Sequence, residues 1–314
     1  MSKTSKLRLL IVSVLAAVAT LTTPAAGQET ARYDGPIIDM HMHAYTVRKD
    51  AEDLFTSPCK RAPALTKTEE DVLRLTLEVM DRHNIVLGFL SQCPLDNVYH
   101  WVEAAPDRFI ASPQIWDPGL IDLDGLRKEY EAGRLGGLGE LGAQYVGMAA
   151  DDPKLEPFFA LAEEFDVPVL IHSHGTGAPA ERFRIAIGRP TRIEEVLVRH
   201  PTLRIYIEGS GFPFLEETIA LMYHYPNVYG DLSASRYPRK IFHWYLHRLM
   251  DAGLGKRLMF GSDRSKFPKL IGEAIEAIES APFLTEEEKR DIFYNNAARF
   301  LRLSKETIAK HHGQ

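Results

Sequence analysis

The stretch Pro36-Ile37-Ile38-Asp39-Met40-His41-Met42-His43 decides how the rest of this chain is read. Its apolar half has the length and branched character of a buried strand, and it ends in a His-x-His pair. Side chains two apart on a strand share a face, so both imidazoles can reach one divalent ion from the strand's carboxyl end. The same tripeptide also occurs as exposed polar alternation, so its meaning depends on the remainder of the chain.

Downstream of His43 the chain alternates regularly. Short apolar runs bounded by turn residues predict eight strands over 37–40, 85–90, 109–113, 137–141, 167–171, 203–207, 228–231 and 258–261. Amphipathic patterns between them predict helices over 67–83, 96–105, 120–132, 153–165, 192–200, 213–223, 238–252 and 269–280. Eight strand-helix units in this length point to a closed (β/α)8 barrel of TIM type in one domain, rather than an open doubly wound sheet. Ile241, Phe242, Tyr245, Leu246 and Leu249 recur at helical spacing after Pro238 and are expected to face the barrel. His200-Pro201 and Tyr225-Pro226 mark helix ends, because proline cannot continue a helix.

Barrel enzymes place their chemistry at the carboxyl ends of the strands. There the first strand has His41 and His43, the fourth contains Glu140, the fifth ends in His172-Ser173-His174, and the eighth in Gly261-Ser262-Asp263. Imidazoles and carboxylates converging on one axis suit a borderline cation, with zinc the first choice and manganese or iron allowed. Asp263 could instead be a helix N-cap, and Glu140 a salt-bridged structural residue. Asp39 is expected to turn inward or to orient a ligand histidine. His83, His200 and His224 fall at helix carboxyl ends, where the dipole favours partial positive charge. His243 and His247 are expected to be solvated.

Together, Asp39-x-His41-x-His43, a His after the fifth strand and Gly-Ser-Asp after the eighth resemble the amidohydrolase superfamily, in its amidohydrolase-related branch. The resemblance extends to Gly136-Gly137-Leu138-Gly139-Glu140-Leu141-Gly142, Pro226-Asn227-Val228-Tyr229 and Asn296-Ala297-Ala298-Arg299-Phe300. It implies a barrel holding one or two divalent ions, with His41, His43, His172 and Asp263 in the metal site and Asp263 also shuttling a proton. Glu140 matches a carboxylate that bridges two ions in some members. Relatives commonly carry a histidine on the sixth strand, whereas this chain reads Ile207-Glu208-Gly209-Ser210-Gly211, with the expected position near Gly209. Glu208 and His174 are the available replacements. The implied activity is metal-dependent hydrolysis of an amide, lactone or ester. The alternatives are decarboxylation or hydration of a carboxylated substrate, and a catalytically inactive metal-binding barrel.

Tyr145, Arg236, Tyr237 and Arg264 lie in loops expected to face the site, where an arginine could hold a substrate carboxylate bidentately or simply form a salt bridge. The segment 45–66 could supply part of the wall or a lid.

Lys3, Lys6 and Arg8 precede an apolar run and the small residues Ala25-Ala26-Gly27, the form of a secretory signal peptide over 1–27 with the barrel domain over 28–314. The expected location is the periplasm or the exterior. Residues 1–27 contain three basic side chains and no acid, so the remainder has 34 Lys+Arg against 43 Asp+Glu, a net charge of −9. That balance disfavours nucleic acid and anionic lipid as partners and fits a small-molecule substrate. Cys59 and Cys93 could pair after export or remain free thiols. The aromatic-rich helix face near Trp244 could support a homodimer.

Overall fold

The computed structural model describes residues 33–45, 69–175, 177, 180–264 and 267–314. The expected export segment, nearly all of the 45–66 loop, and Cys59 with any pairing it makes lie outside the described residues; Cys93 is exposed and has no disulfide partner among the described residues.

Strand and helix alternate as the apolar pattern requires: β1 (Ile37–His43), α1 (Glu69–Arg82), β2 (Ile85–Gln92), α2 (Leu95–Ala104), β3 (Phe109–Pro113), α3 (Leu123–Glu131), β4 (Leu138–Leu141) and α4 (Glu156–Glu164). The second half continues with β5 (Val169–Ile171), α5 (Glu194–Arg199), β6 (Ile205–Ile207), α6 (Leu215–His224), β7 (Val228–Asp231), α7 (Arg239–Asp251), β8 (Leu258–Met259) and α8 (Ile271–Glu279). Continuous parallel pairing runs through β1-β2-β3 and through β4-β5-β6-β7-β8. The first seam between these sheets is closed by Ile115 N–H donating to Glu140 O (2.9 Å) and Gly142 N–H donating to Ile115 O (2.8 Å). The second is closed by Met40 N–H to Phe260 O and Asp263 N–H to His41 O, both 2.9 Å. Asp39 reinforces it, its Oδ1 accepting from Ser262 N–H at 2.9 Å. The fold is thus a (β/α)8 barrel.

Ile38 and Met40 fill the interior with Leu87, Phe89, Leu170, Tyr206 and Met259, while Ile37 and Met42 belong to the layer between strands and helices. A regular pleat would send residue 42 the same way as 38 and 40. It does not, because Asp39 pairs with Gly88 and Met42 with Leu90, leaving one extra residue on β1. This bulge exchanges the faces of the strand, so His41 and His43 turn toward the axis.

The amino end of the barrel is plugged by the chain's own carboxyl-terminal part, with helices α9 (Glu286–Arg290), α10 (Asn296–Phe300) and α11 (Lys305–His311). Ala297, Ala298 and Phe300 join the interior cluster, Asn296 Nδ2 donates to Leu258 O at 2.7 Å, and Arg204 Nη1 donates to Phe300 O at 2.6 Å.

Several local expectations need correction. Phe242, Tyr245, Leu246 and Leu249 are buried as expected, but Ile241 is 43% exposed beside Trp244, because it lies off the edge of that i, i+3, i+4, i+7 stripe. His243 is not simply solvated: its ring donates to Ala277 O at 2.8 Å, and both His243 and His247 pack on Phe283. His200 is buried and bridges Glu163 (2.8 Å) and Glu156 (2.9 Å), so side-chain pairing rather than the helix dipole accounts for its place.

Gly139 carries Glu140 into position with φ of +108°, and a Cβ there would lie 2.3 Å from Leu170 O on the neighbouring strand. Gly139→Ala is therefore expected to lose about 2–4 kcal/mol of stability, from a strained backbone conformation plus a backbone clash. Gly133→Ala, at φ +68° with open space around it, should lose only about 1–2 kcal/mol. Equal losses for the two in chemical denaturation would contradict a role for the clash with Leu170.

Candidate metal centre

Two groups of donors meet at the carboxyl end of the barrel. In the first, His41 Nε2 and His43 Nε2 face each other at 3.2 Å. Asp263 Oδ1 lies 3.9 Å from His41 Nε2 and 3.5 Å from His43 Nε2, and Glu140 Oε2 lies 4.0 and 3.4 Å from the same two atoms. Two nitrogens bound tetrahedrally to an ion at about 2.0–2.1 Å would stand roughly 3.3–3.4 Å apart. The pair is therefore spaced to share a cation.

The far nitrogens fix the rings. His41 Nδ1 is 3.0 Å from Asp231 Oδ2, a buried carboxylate that can only accept while ionised, so Nδ1 carries a proton and Nε2 is the nitrogen left to face an ion. Asp231 is held in turn, its Oδ1 accepting from Gly209 N–H (2.7 Å), Ser233 N–H (2.9 Å) and Ser233 Oγ (2.7 Å). His43 Nδ1 lies 3.1 Å from Ser91 Oγ at the end of β2. Gly209, at the end of β6, has a φ of +54° that turns its N–H onto Asp231.

The second group is His172, His174 and Glu208. His172 Nδ1 is 2.7 Å from Glu140 Oε1 and in contact with Glu208 Oε2, while His174 Nε2 is 2.9 Å from Glu208 Oε1. Glu140 thus turns one oxygen to each group, and Gln114 Nε2 donates to its Oε2 at 3.0 Å. Arg236 Nη1 donates to Asp263 Oδ2 at 2.6 Å and to Glu208 Oε1 at 3.3 Å, joining the groups from the other side. His172 Nε2 is buried with no hydrogen-bond partner among the described residues.

The electrostatics show a demand for positive charge. Burial opposes protonation of His41, yet Asp231, Asp263 and Glu208 outweigh it and hold its pKa well above the ordinary value. Burial likewise works against a charged Asp263, but His41, His43 and Arg236 keep its carboxyl well below the usual range. His172 is desolvated but faces two glutamates, which push it up to about 9, whereas burial lowers His174 to about 4. Burial raises Asp39 to about 6 despite its hydrogen bonds from Ser262 and His41. A divalent cation between His41, His43, Asp263 and Glu140 would meet the demand that protons meet without it. The donor set fits such an ion.

All the residues expected at the site from strand-end positions, His41, His43, Glu140, His172, His174, Glu208 and Asp263, are brought together. Tyr145 stands beside them, its ring 4.7 Å from His172 and wedged against Trp116 and Phe183. Of the two roles the sequence left open for Arg236, a hold on a substrate carboxylate or a salt bridge, the structure shows salt bridges, made inward to the site's own Asp263 and Glu208. Arg264 is half-buried in the loop after β8. Asp231, Ser91 and Gln114 were not anticipated as site residues. The available signal for the first two was their place at the carboxyl ends of strands seven and two.

A family model described as Amidohydrolase matches residues 38–303, and the chain belongs to that family, within the amidohydrolase superfamily. No curated protein matches it. Among solved structures it is similar to an uncharacterized TIM-barrel protein from Bordetella bronchiseptica (19% identity, 89% of this chain and 100% of that one, TM-score 0.63). It is also similar to a probable 2-pyrone-4,6-dicarboxylic acid hydrolase from Acinetobacter baumannii, determined with citric acid bound (16% identity, 85% and 99%, TM-score 0.59). A third is 5-carboxyvanillate decarboxylase from Sphingomonas paucimobilis (18% identity, 86% and 99%, TM-score 0.56). At these identities the likeness establishes the fold.

If Asp231 sets the orientation of His41, Asp231→Asn should weaken divalent-ion affinity by about 10- to 100-fold with the melting temperature of the metal-free protein little changed. Calorimetric titration of chelator-treated protein measures this; an unaltered affinity would remove Asp231 from the centre.

Proposed function

We propose that this protein is an exported, divalent-metal-dependent hydrolase that cleaves an amide, lactone or ester bond of a small molecule. The observation that carries the reading is Asp263, an ionised carboxylate 3.5 Å from His43 Nε2, beside two imidazoles whose far nitrogens are both engaged. His41, His43, Asp263 and Glu140 would hold the ion, with zinc the first choice for this mixture of nitrogen and oxygen donors. Such an ion supplies Lewis acidity, polarising a scissile carbonyl and acidifying water.

The chain's own residues supply the rest. Asp263 accepts the proton of the attacking water and returns it to the leaving group. Arg236, hydrogen-bonded to Asp263 Oδ2 at 2.6 Å, lowers the basicity of that carboxylate, so the proton is held briefly and released readily. Asp231 and Ser91 keep the imidazoles from rotating away. Tyr145, Trp116 and Phe183 give the wall beside His172 an apolar surface against which a planar substrate can lie.

A second reading, a decarboxylase or hydratase acting on a carboxylated substrate, is favoured by the cationic Arg236 beside the centre. The hydrolase reading stands first because Nη1 of that arginine is already engaged by Asp263 and Glu208. A panel of lactones, N-acyl compounds and unsaturated dicarboxylates, scored by product, separates the two. Hydrolytic products from the first two groups are expected, and released carbon dioxide or a hydrated acid would reverse the order. Full metal occupancy with no turnover across the panel would favour an inactive binding barrel.

His41→Ala combined with His43→Ala should remove bound metal and lower turnover by at least about 1,000-fold, since a generator of the nucleophile is lost. Elemental analysis alongside the assay checks both; a variant that stays active without metal would refute the metal-dependent mechanism. Export rests on residues 1–27, and the mature protein is expected to begin at Gln28, which amino-terminal sequencing decides.

A further inference from the structure

Three large apolar side chains left exposed, Tyr223 (63%), Ile241 (43%) and Trp244 (55%), belong to two neighbouring helices, α6 and α7. Helical spacing places them on one strip. On α7, His243 faces α8 through Ala277 O, and Ile241 lies roughly 160° round the helix from it, on the flank toward α6, with Trp244 facing outward between the two. On α6, Glu217 faces back to Arg189 and Thr191, and Tyr223 lies roughly 120° from it, on the flank toward α7. There the Tyr223 hydroxyl donates to Ala252 O, just beyond the end of α7. The apolar strip therefore follows the seam between the helices, and grouped aromatic residues of this kind mark contact surfaces where scattered ones do not.

The charges on this face also lack partners. Neighbouring seams are stitched by ion pairs, Arg127 to Glu164 between α3 and α4 and Arg199 to Glu156 between α4 and α5. Among the described residues no ion pair crosses the α6–α7 seam, and Glu216, Lys240 and Arg248 take part in none. α6 carries two acids and no Lys or Arg, whereas α7 carries three Lys or Arg and one acid. A face that is negative on one helix and positive on the next is complementary to itself. Turned about a two-fold axis along the seam, it sets each α6 over the α7 of a second copy. Glu216 and Lys240 both lie in the first turn of helices that run the same way, so the rotation brings acid to base, and the small exposed Ala220 leaves room for the incoming Trp244. Elsewhere two copies repel, since the chain beyond residue 27 has 34 Lys+Arg against 43 Asp+Glu.

We propose that the α6–α7 face is where two copies of this chain associate, in an isologous dimer with Trp244 and Tyr223 at its centre and Glu216–Lys240 pairs at its rim. The helices have 10 and 13 residues, so their exposed halves offer roughly 600 Å2 per copy. The contact then buries about 1,200 Å2 in all, the low end for specific complexes, which makes the dimer reversible with a Kd of roughly 1–100 μM. It lies on the flank of the barrel, and the mouths of both sites stay open.

Sedimentation equilibrium of the purified protein over about 0.5–200 μM chain reads the association directly. The apparent mass is expected to rise from one chain to two across that range, and Trp244→Ser, at an exposed position, to hold the protein monomeric. Lys240→Glu and Glu216→Lys should each weaken the dimer at least about 10-fold, because each sets like charges opposite one another. Mixed in equal amounts, these two single variants should associate with each other at close to wild-type strength, since both contacts of the mixed pair again join acid to base. A thermal melt of each variant verifies its folding. A wild type that stays monomeric at the highest concentration overturns the proposal. A dimer unmoved by Trp244→Ser and by both charge variants does the same, because its contact then lies elsewhere. Failure of the mixture to recover association, with each single variant weakened, overturns the two-fold arrangement.

Discussion

One extra residue in the first strand governs this site. Between its pairings at Asp39 and Met42, β1 takes three steps while β2 takes two, and from that point its two faces are exchanged. Without the bulge, His41 and His43 would lie against the helical layer, where Met42 now packs, and a buried imidazole there would face apolar neighbours. With it, the strand delivers apolar side chains to the barrel's middle and imidazoles to its mouth. A short peptide thereby serves two incompatible solvents within a few ångströms.

The second controlling fact is an excess of buried acid. Asp39, Glu140, Glu208 and Asp231 are all buried, and Asp263 is nearly so, around a small set of possible counter-charges. Buried carboxylates are tolerated only when paired or hydrogen-bonded, and here several kinds of partner serve, Gln114 and His172 for Glu140 among them. Asp231 is satisfied by two backbone N–H groups, a hydroxyl and His41; Asp39 by N–H groups at the barrel's second seam; Asp263 and Glu208 by Arg236. The resulting network places negative charge around His41 and His43 without relying on solvent, which is what a cation-binding centre requires.

The barrel was legible because its signal is repeated. Eight short apolar runs separated by amphipathic helices leave few alternatives, and β3 and β7 occur over the very residues the pattern indicates. The strand-end histidines and carboxylates were legible for the same reason: their positions follow from the strand ends. Orientation was harder. That Arg236 points inward to Asp263 and Glu208 depends on a loop path that no residue pattern encodes. Asp231 reads in the sequence as the ordinary last residue of an apolar strand, and only the fold shows it beside His41, 190 positions away. The β1 bulge left no mark at all, since its residues alternate plausibly in either register. Strands β5 and β6 begin two residues later than their apolar runs and end with them, and β8 ends two residues early, where the chain turns into the loop that carries Asp263.

The seam between β8 and β1 has a temporal meaning as well. Ser262 N–H reaches Asp39 over a separation of 223 positions, and Asp263 meets the histidines there. Contacts so remote in the chain close late, because the loop entropy lost in joining them is offset only once the intervening units have packed. The cluster of imidazoles and carboxylates therefore has no local precursor: none of the eight units, nor any run of them short of the whole ring, contains it. An incomplete barrel leaves these imidazoles and acids apart, and only ring closure brings them together.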